Sequence, residues 1–139
     1  MRHRCVLVMV AAVGVATACN SQQPAPPSTI KVVASTKQVM SAISAQSDPL
    51  FNVGLEPPKT DEAWTSLRAN AVIVAEAGNL LLLGDRVRDH SDWIKFSQAL
   101  TDAGAVALRA AEAKNVDAAS TAGDTLLETC SQCHEKYMK

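Results

Sequence analysis

The stretch WTSLRANAVIVAEAGNLL, residues 64–81, carries the clearest structural pattern in this chain of 139 residues. Its apolar and small residues recur at alternating steps of three and four, which is the spacing of one face of an α-helix. Acidic residues at positions 61 and 62 suit the positive end of such a helix. We predict a helix that begins at Thr60 or Asp61 and ends near Gly84. Its buried seam is expected to consist of Trp64, Leu67, Ala71, Val74, Gly78 and Leu81.

An earlier helix is predicted from about Thr29 to Ala45. It is expected to stop at Asp48-Pro49, because the residue before a proline avoids the helical region of backbone angles. The stretch PLFNVGLEPPK, residues 49–59, then forms a loop. The residues on or near the inner face of this first helix are Ile30, Val33, Met40 and Ile43.

Two later helices complete the predicted fold. One follows Ser91, a good N-cap, and ends at Asn115, and Asp117 caps the last helix. Short connections between helices of similar length favour an antiparallel four-helix bundle, and no useful stretch alternates with the period of a strand. Their inner faces are expected to carry Trp93, Phe96, Leu100, Ala103, Ala107, Ala119, Gly123, Leu126, Cys130, Cys133 and Tyr137. Because only 4% of the residues are aromatic, a large flat cofactor would supply bulk that this core lacks.

The first eighteen residues are predicted to be an export signal, with a basic start (MRHR) and an apolar run (VLVMVAAVGVA). That run is too short to be a membrane span. The small residues of VATAC before Cys19 resemble the lipobox of bacterial lipoproteins, which implies that Cys19 is acylated and tethers the protein to a membrane. Cleavage near Ala18, which gives a soluble periplasmic protein, is the alternative. Residues 20–28 are polar and proline-rich, so we predict a flexible tether before a domain of residues 29–139.

Charge and cysteine content narrow the class of protein. Removing Arg2 and Arg4 with the signal leaves 11 basic residues of the original 13 against 14 acidic ones, a net charge of about −3. With no basic block, nucleic-acid binding has no electrostatic support. Cys5 and Cys19 belong to the export region, so no cysteine pair remains for a structural disulfide across the fold.

The remaining cysteines belong to CSQCH, residues 130–134, which is the C-x-x-C-H signature of c-type haem attachment. Two thiols add across the two vinyl groups on one edge of a porphyrin, and the histidine must then lie under the iron. One helical turn separates Cys130 from His134, so both project on the same side. We predict one covalently bound haem c, held by Cys130 and Cys133, with His134 as the proximal iron ligand.

Competing interpretations of the pair explain less. A thioredoxin-like C-x-x-C motif would lie near a strand-to-helix junction, which the pattern lacks. A structural zinc site would need a fourth ligand, and only His90, in a polar loop, is left. A chance pair of cysteines leaves the adjacent histidine unexplained.

A C-x-x-C-H motif near the end of a four-helix bundle resembles the cytochrome c′ superfamily, over roughly residues 29–139. TKQVMSAI, AEAGNLLL and CSQCHEKY look like its low-spin, methionine-ligated branch. The tail departs slightly, because Met138 stands where a basic residue often follows the aromatic. The resemblance implies a periplasmic electron carrier, and dimers through the first two helices are common in this superfamily.

The second axial ligand decides between two functions. Met1 and Met9 leave with the signal, and Met138 follows His134 on the proximal side, so Met40 is the remaining methionine. Met40 lies on the first helix, where the superfamily places its distal residue, although methionine on an apolar face is most often core packing. We expect His/Met ligation and single-electron transfer. The alternatives are ligation by His90 and an open, five-coordinate site that binds nitric oxide or carbon monoxide.

Several other residues carry weaker expectations. Arg86 and Arg88 are interpreted as surface residues, with pairing to a haem propionate as the alternative. Tyr137 would pack against the porphyrin edge or cap the end of the bundle. Further residues are expected to be core anchors or to line the core or the haem: Trp64, Trp93, Phe96, Leu67, Ala71 and Val74. No acid–base constellation or substrate pocket is recognisable, so we do not expect an enzyme, and the redox partner is not identified.

Overall fold

The structure is a computed structural model that describes residues 30–138. The predicted export signal, the lipidation site Cys19 and the tether of residues 20–28 lie outside the described residues. Residues 30–138 form four α-helices and no strand, which confirms the all-α prediction for this part of the chain. The helices are α1 (Thr36–Phe51), α2 (Asp61–Leu80), α3 (Asp92–Glu112) and α4 (Val116–Tyr137), with a short 3-10 turn at Gly84–Arg86. None of the described helices is long and apolar enough to span a membrane.

The four helices form an antiparallel bundle in which each helix contacts its neighbour in sequence and α4 closes back onto α1. Lys114, just after α3, pairs with Asp61 at the start of α2, and Leu50 near the end of α1 lies against Gly123 in the first half of α4. The contact between α2 and α3 is the most extensive and that between α1 and α4 the least. The bundle is therefore tight on one side and looser on the other.

Helix α2 buries one continuous face in the core, as the spacing of its apolar residues predicts. Thr60 caps it by accepting a hydrogen bond from the Ala63 backbone N–H at 3.2 Å. The helix ends at Leu80, four residues before Gly84. All members of the predicted seam are buried, namely Trp64, Leu67, Ala71, Val74, Gly78 and Leu81.

The close approach of α2 and α3 depends on small residues. A Cβ atom placed on Gly104 would lie 2.7 Å from the Cα of Ala75, closer than real side chains allow. The backbones of the two helices therefore meet here with no side chain between them.

The first helix begins later than predicted. Ser35 is its N-cap and forms a capping box with Gln38, whose side chain accepts from the Ser35 backbone N–H at 2.9 Å. Ile30 and Val33, predicted to lie on its inner face, precede the helix and are 68% and 81% exposed. The capping box stops the helix from extending back toward Thr29, because the N-cap backbone is not helical.

The predicted stop before Pro49 is also wrong, because α1 continues to Phe51. Pro49 cannot donate a backbone hydrogen bond, but only two helical residues follow it. Asn52 donates to the Asp48 carbonyl from its backbone at 3.1 Å and from its side-chain amide at 2.9 Å. Leu50 is buried in the core, so packing and this terminal turn hold the last residues helical.

The caps of the last two helices differ from those predicted. Ser91 stands at the N-cap position of α3, but its side chain makes no capping bond, and Asp89 instead accepts from the Trp93 backbone N–H at 3.1 Å. Asn115 caps α4 by accepting from the Ala118 backbone N–H at 3.0 Å, a role predicted for Asp117.

Arg86 is buried, contrary to its interpretation as a surface residue. It is 4% exposed and its guanidinium donates to the carbonyl of Ala34 at 2.6 and 3.0 Å and to that of Leu80 at 2.7 Å. Arg86 thus ties the segment before α1 to the end of α2. Arg88 is exposed, as expected.

Candidate functional site

A cavity of about 230 Å³ lies between α1, α3 and α4. Its apolar lining comes from α1, α3, α4 and the residue that follows α2: Ile43, Phe51, Leu81, Phe96, Leu100 and Leu127. Its polar lining comprises Ser44, Ser47, Asp48, Ser97, Thr129 and Ser131. The remaining lining residues are Met40, Cys130, Cys133 and His134, all four of the predicted haem-site residues.

Helices α1 and α4 approach each other closely near Gly123 and leave the cavity beside the C-terminal half of α4. A Cβ atom on Gly123 would collide with the carbonyl oxygen of Leu50, so the two backbones are in direct contact there. Toward the other end, Met40 on α1 and His134 on α4 face a common space. The two helices therefore separate toward the end of the bundle that carries the C-x-x-C-H motif. This end is the open end of the bundle.

Cys130 and Cys133 are free, half-buried thiols on the α4 wall of the cavity. Burial raises the pKa of Cys130, and the neighbouring Cys133 adds to this effect. Burial also raises the pKa of Cys133. In redox-active C-x-x-C pairs, the surroundings stabilise the thiolate and so lower the cysteine pKa. The surroundings of Cys130 and Cys133 have the opposite effect on the pKa.

The two predicted iron ligands lie on different helices around the cavity. His134 is in the last turns of α4 and its side chain is exposed at the rim. Met40 is half-buried on α1 and packs against the core. Met138 follows the end of α4, is 72% exposed and is not part of the lining.

Other candidate residues lie away from the cavity. Leu67, Ala71 and Val74 are buried in the core rather than in the lining. The described lining contains neither arginine proposed to pair with a propionate, and His90 is exposed in its loop. Trp64 and Trp93 are buried core residues, as expected.

Tyr137 caps the open end of the bundle. Its ring packs edge-on against Trp93, with centroids 5.0 Å apart, and against Phe96 at 6.5 Å. Its hydroxyl donates a short hydrogen bond to the carboxylate of Asp89. Sequence reasoning missed Asp89, although an aspartate just before a helix start is a common partner for backbone N–H groups.

In residues 30–138, no three His, Cys, Asp or Glu side chains lie close enough together to hold a metal ion. A haem iron does not need such a cluster, because the porphyrin supplies four of its ligands. Comparisons of the chain with models of protein families, with curated proteins and with solved structures found no match.

Proposed function

We propose that this protein is an exported c-type cytochrome that carries single electrons on one covalently bound haem. The observation that supports the proposal most strongly is the meeting of Met40 with Cys130, Cys133 and His134 around one cavity. Met40 stands 90 positions before Cys130 in the sequence. In the proposed site the two cysteines would attach the haem, and Met40 and His134 would bind its iron. The resemblance of the motif and its position to the cytochrome c′ superfamily points to the same function.

The cavity suits a porphyrin in the chemistry of its lining. Six apolar side chains line it, which favours a flat apolar ring over bulk water. Each thiol would add its S–H across one vinyl group, with the sulfur bonding one carbon and the hydrogen going to the other.

The size of the cavity sets how a haem would sit. Its volume of about 230 Å³ is below the roughly 300–1,000 Å³ of enclosed ligand pockets. A porphyrin would therefore extend out of the cavity. One of its edges would lie at the surface beside the exposed residues Leu127, Ser131 and His134. An exposed edge is what an electron carrier needs, since electrons must reach a partner protein.

The two axial residues would define the function. A bound haem iron supplies the one-electron change, and the protein sets its potential through the axial ligands and the dryness of the site. Met40 as second ligand would keep the iron low-spin and raise its potential relative to a second histidine. Met40 on the α1 wall and His134 on the α4 wall approach the same space from different helices.

The visible spectrum of the reduced protein, with and without carbon monoxide, tests this function. We expect a sharp low-spin α-band that carbon monoxide leaves unchanged. Met40→Ala should give a broad high-spin spectrum that shifts with carbon monoxide, while the matched control Met138→Ala, at the exposed methionine, should leave the wild-type spectrum. A wild type that already binds carbon monoxide would replace electron transfer by gas binding at an open iron.

A further inference from the structure

One carboxylate joins the start of α3 to the end of α4. Oδ1 of Asp89 accepts from the backbone N–H groups of Ser91 at 3.0 Å and of Trp93 at 3.1 Å. Oδ2 of the same carboxylate accepts from the hydroxyl of Tyr137. The side chain of Asp89 therefore caps α3 and holds the last residue of α4 at the same time.

The ring of Tyr137 rests on a fixed base. It packs edge-on against Trp93 with an interplanar angle of 82°. Trp93 is itself held, because its indole N–H donates to the Leu81 carbonyl at 2.9 Å in the core. Leu81 and Phe96, which also contacts the Tyr137 ring, line the cavity. The contacts of Asp89 and Tyr137 are thus continuous with the wall of the candidate site.

The contacts of Asp89 and Tyr137 stabilise the helical turn that contains His134. The backbone N–H of Met138 donates to the carbonyl of His134 at 2.9 Å, and Tyr137 is the last helical residue. Terminal helical turns ordinarily fray, and a frayed turn would release the imidazole from its register with Cys130. A second contact, the ion pair of Lys136 with Asp92 at 2.5 Å, is exposed on both sides and contributes little by comparison.

We propose that Asp89 and Tyr137 are positioning residues for His134, which they hold in the helical register that a haem iron requires. This role rests on the function proposed above, because it matters only if His134 binds iron. Neither residue touches the cavity itself. They act through the last turn of α4. In metal sites, residues that do not touch the metal commonly fix the orientation of a metal-bound histidine.

Tyr137→Phe tests the proposal in the haem-loaded protein, since it removes the hydroxyl but keeps the ring on Trp93. Amide hydrogen exchange at Met138 should rise about tenfold, the effect of losing one hydrogen bond to a charged group. The reduction potential should shift, and the low-spin spectrum should be lost at a higher pH on acidification than in the wild type. The control Lys114→Ala, which removes an exposed ion pair beyond the far end of α3, should change none of these.

Three results would overturn the proposal in distinguishable ways. A coloured Tyr137→Phe protein with a lower melting temperature but wild-type exchange at Met138, potential and acid transition would show a role in stability alone. A wild type without haem would remove the proposed function and this role with it. Faster exchange at Met138 together with an unchanged potential would also contradict the proposal, because the turn would then move without affecting the iron.

Discussion

The two sides of this bundle pack in different ways. Between α2 and α3, Gly104 meets Ala75 so closely that no side chain separates the backbones. Between α1 and α4, the backbones meet at Gly123 and Leu50, but the two helices also line a cavity. One interface is closed by the chain's own small residues, and the other leaves a cavity open beside it.

This difference indicates where a ligand could bind. Apolar residues such as Ile43, Leu100 and Leu127 line the open half, and an apolar ligand there would cover the exposed surface of Leu127. The cysteines and the histidine of the C-x-x-C-H motif stand on that half alone. The tight side is therefore a scaffold, and the open side is where we propose the haem.

A substitution on the tight side should destabilise the fold strongly. Gly104→Val should lower the free energy of unfolding by about 3 kcal/mol, because its side chain would meet the backbone of Ala75. Denaturant unfolding measures the loss. Asp102→Ala, at an exposed position of α3, is the control and should change stability by less than about 0.5 kcal/mol. Equal stabilities would mean that α2 and α3 are not in backbone contact.

A pair of leucines compares the filled core with the wall of the cavity. In a haem-free Cys130→Ser, Cys133→Ser chain, Leu126→Ala should cost about 4 kcal/mol and Leu100→Ala about 2 kcal/mol. Leu126 is completely buried, whereas Leu100 borders the cavity and so has fewer packing partners to lose. The same comparison in the haem-loaded protein should bring the two costs together. Costs that already match without haem would argue against an open side.

Acid should loosen the open end of the bundle. The pKa of Asp89 lies well below its ordinary value of 3.8, chiefly because the Tyr137 hydroxyl donates to it and also because the Trp93 and Ser91 N–H groups do. Its contribution to stability is therefore complete above about pH 4 and is lost as the pH falls through the lowered pKa. Charged or titratable neighbours at this end are His90, Asp92 and Lys136.

Unfolding free energies measured from about pH 5 to about pH 2 check this dependence. Tyr137→Phe, which removes the largest cause of the low pKa, should make the decline shallower. An unchanged slope would show that the hydrogen bond between Tyr137 and Asp89 contributes nothing in solution.

The smallest effect is expected at the exposed ion pair on the tight side. Lys114 has a left-handed backbone with φ 51° and pairs with Asp61 at 2.6 Å. Lys114→Gly should raise stability by roughly 0.5 kcal/mol, because relief of about 1 kcal/mol of backbone strain outweighs an exposed ion pair. Lys114→Ala, which loses the pair without that relief, should be slightly destabilising. A large loss in the glycine variant would show that charge, rather than packing, holds this end.

Much of the scaffold could be predicted from the sequence, because helix spacing is a local property. The seam of α2 from Trp64 to Leu81 and the inner residues Leu100 and Leu126 are buried as predicted. Ile30 and Val33 misled the prediction because their spacing mimics a helical face. The Ser35–Gln38 pair held the correct signal, since it matches the spacing of a capping box.

Features that depend on distant contacts could not be predicted. Nothing near Arg86 shows that its partner is the carbonyl of Ala34, 52 positions earlier. The continuation of α1 past Pro49 depends on the burial of Leu50 against α4. At the candidate site, the motif pointed to Cys130 and His134. The contacts that Asp89 makes with α3 and Tyr137 could not be predicted without the fold.

The intact mass of the mature protein, purified from cells that export proteins and attach haem, tests the proposed function most directly. The measurement should be repeated with Cys130→Ser and Cys133→Ser together. We expect the wild-type mass to exceed that of the mature polypeptide by one haem, with colour that survives denaturation, and the double variant to lose both. A colourless wild type, with the mass of the polypeptide plus at most a lipid, would contradict a covalent haem at Cys130 and Cys133.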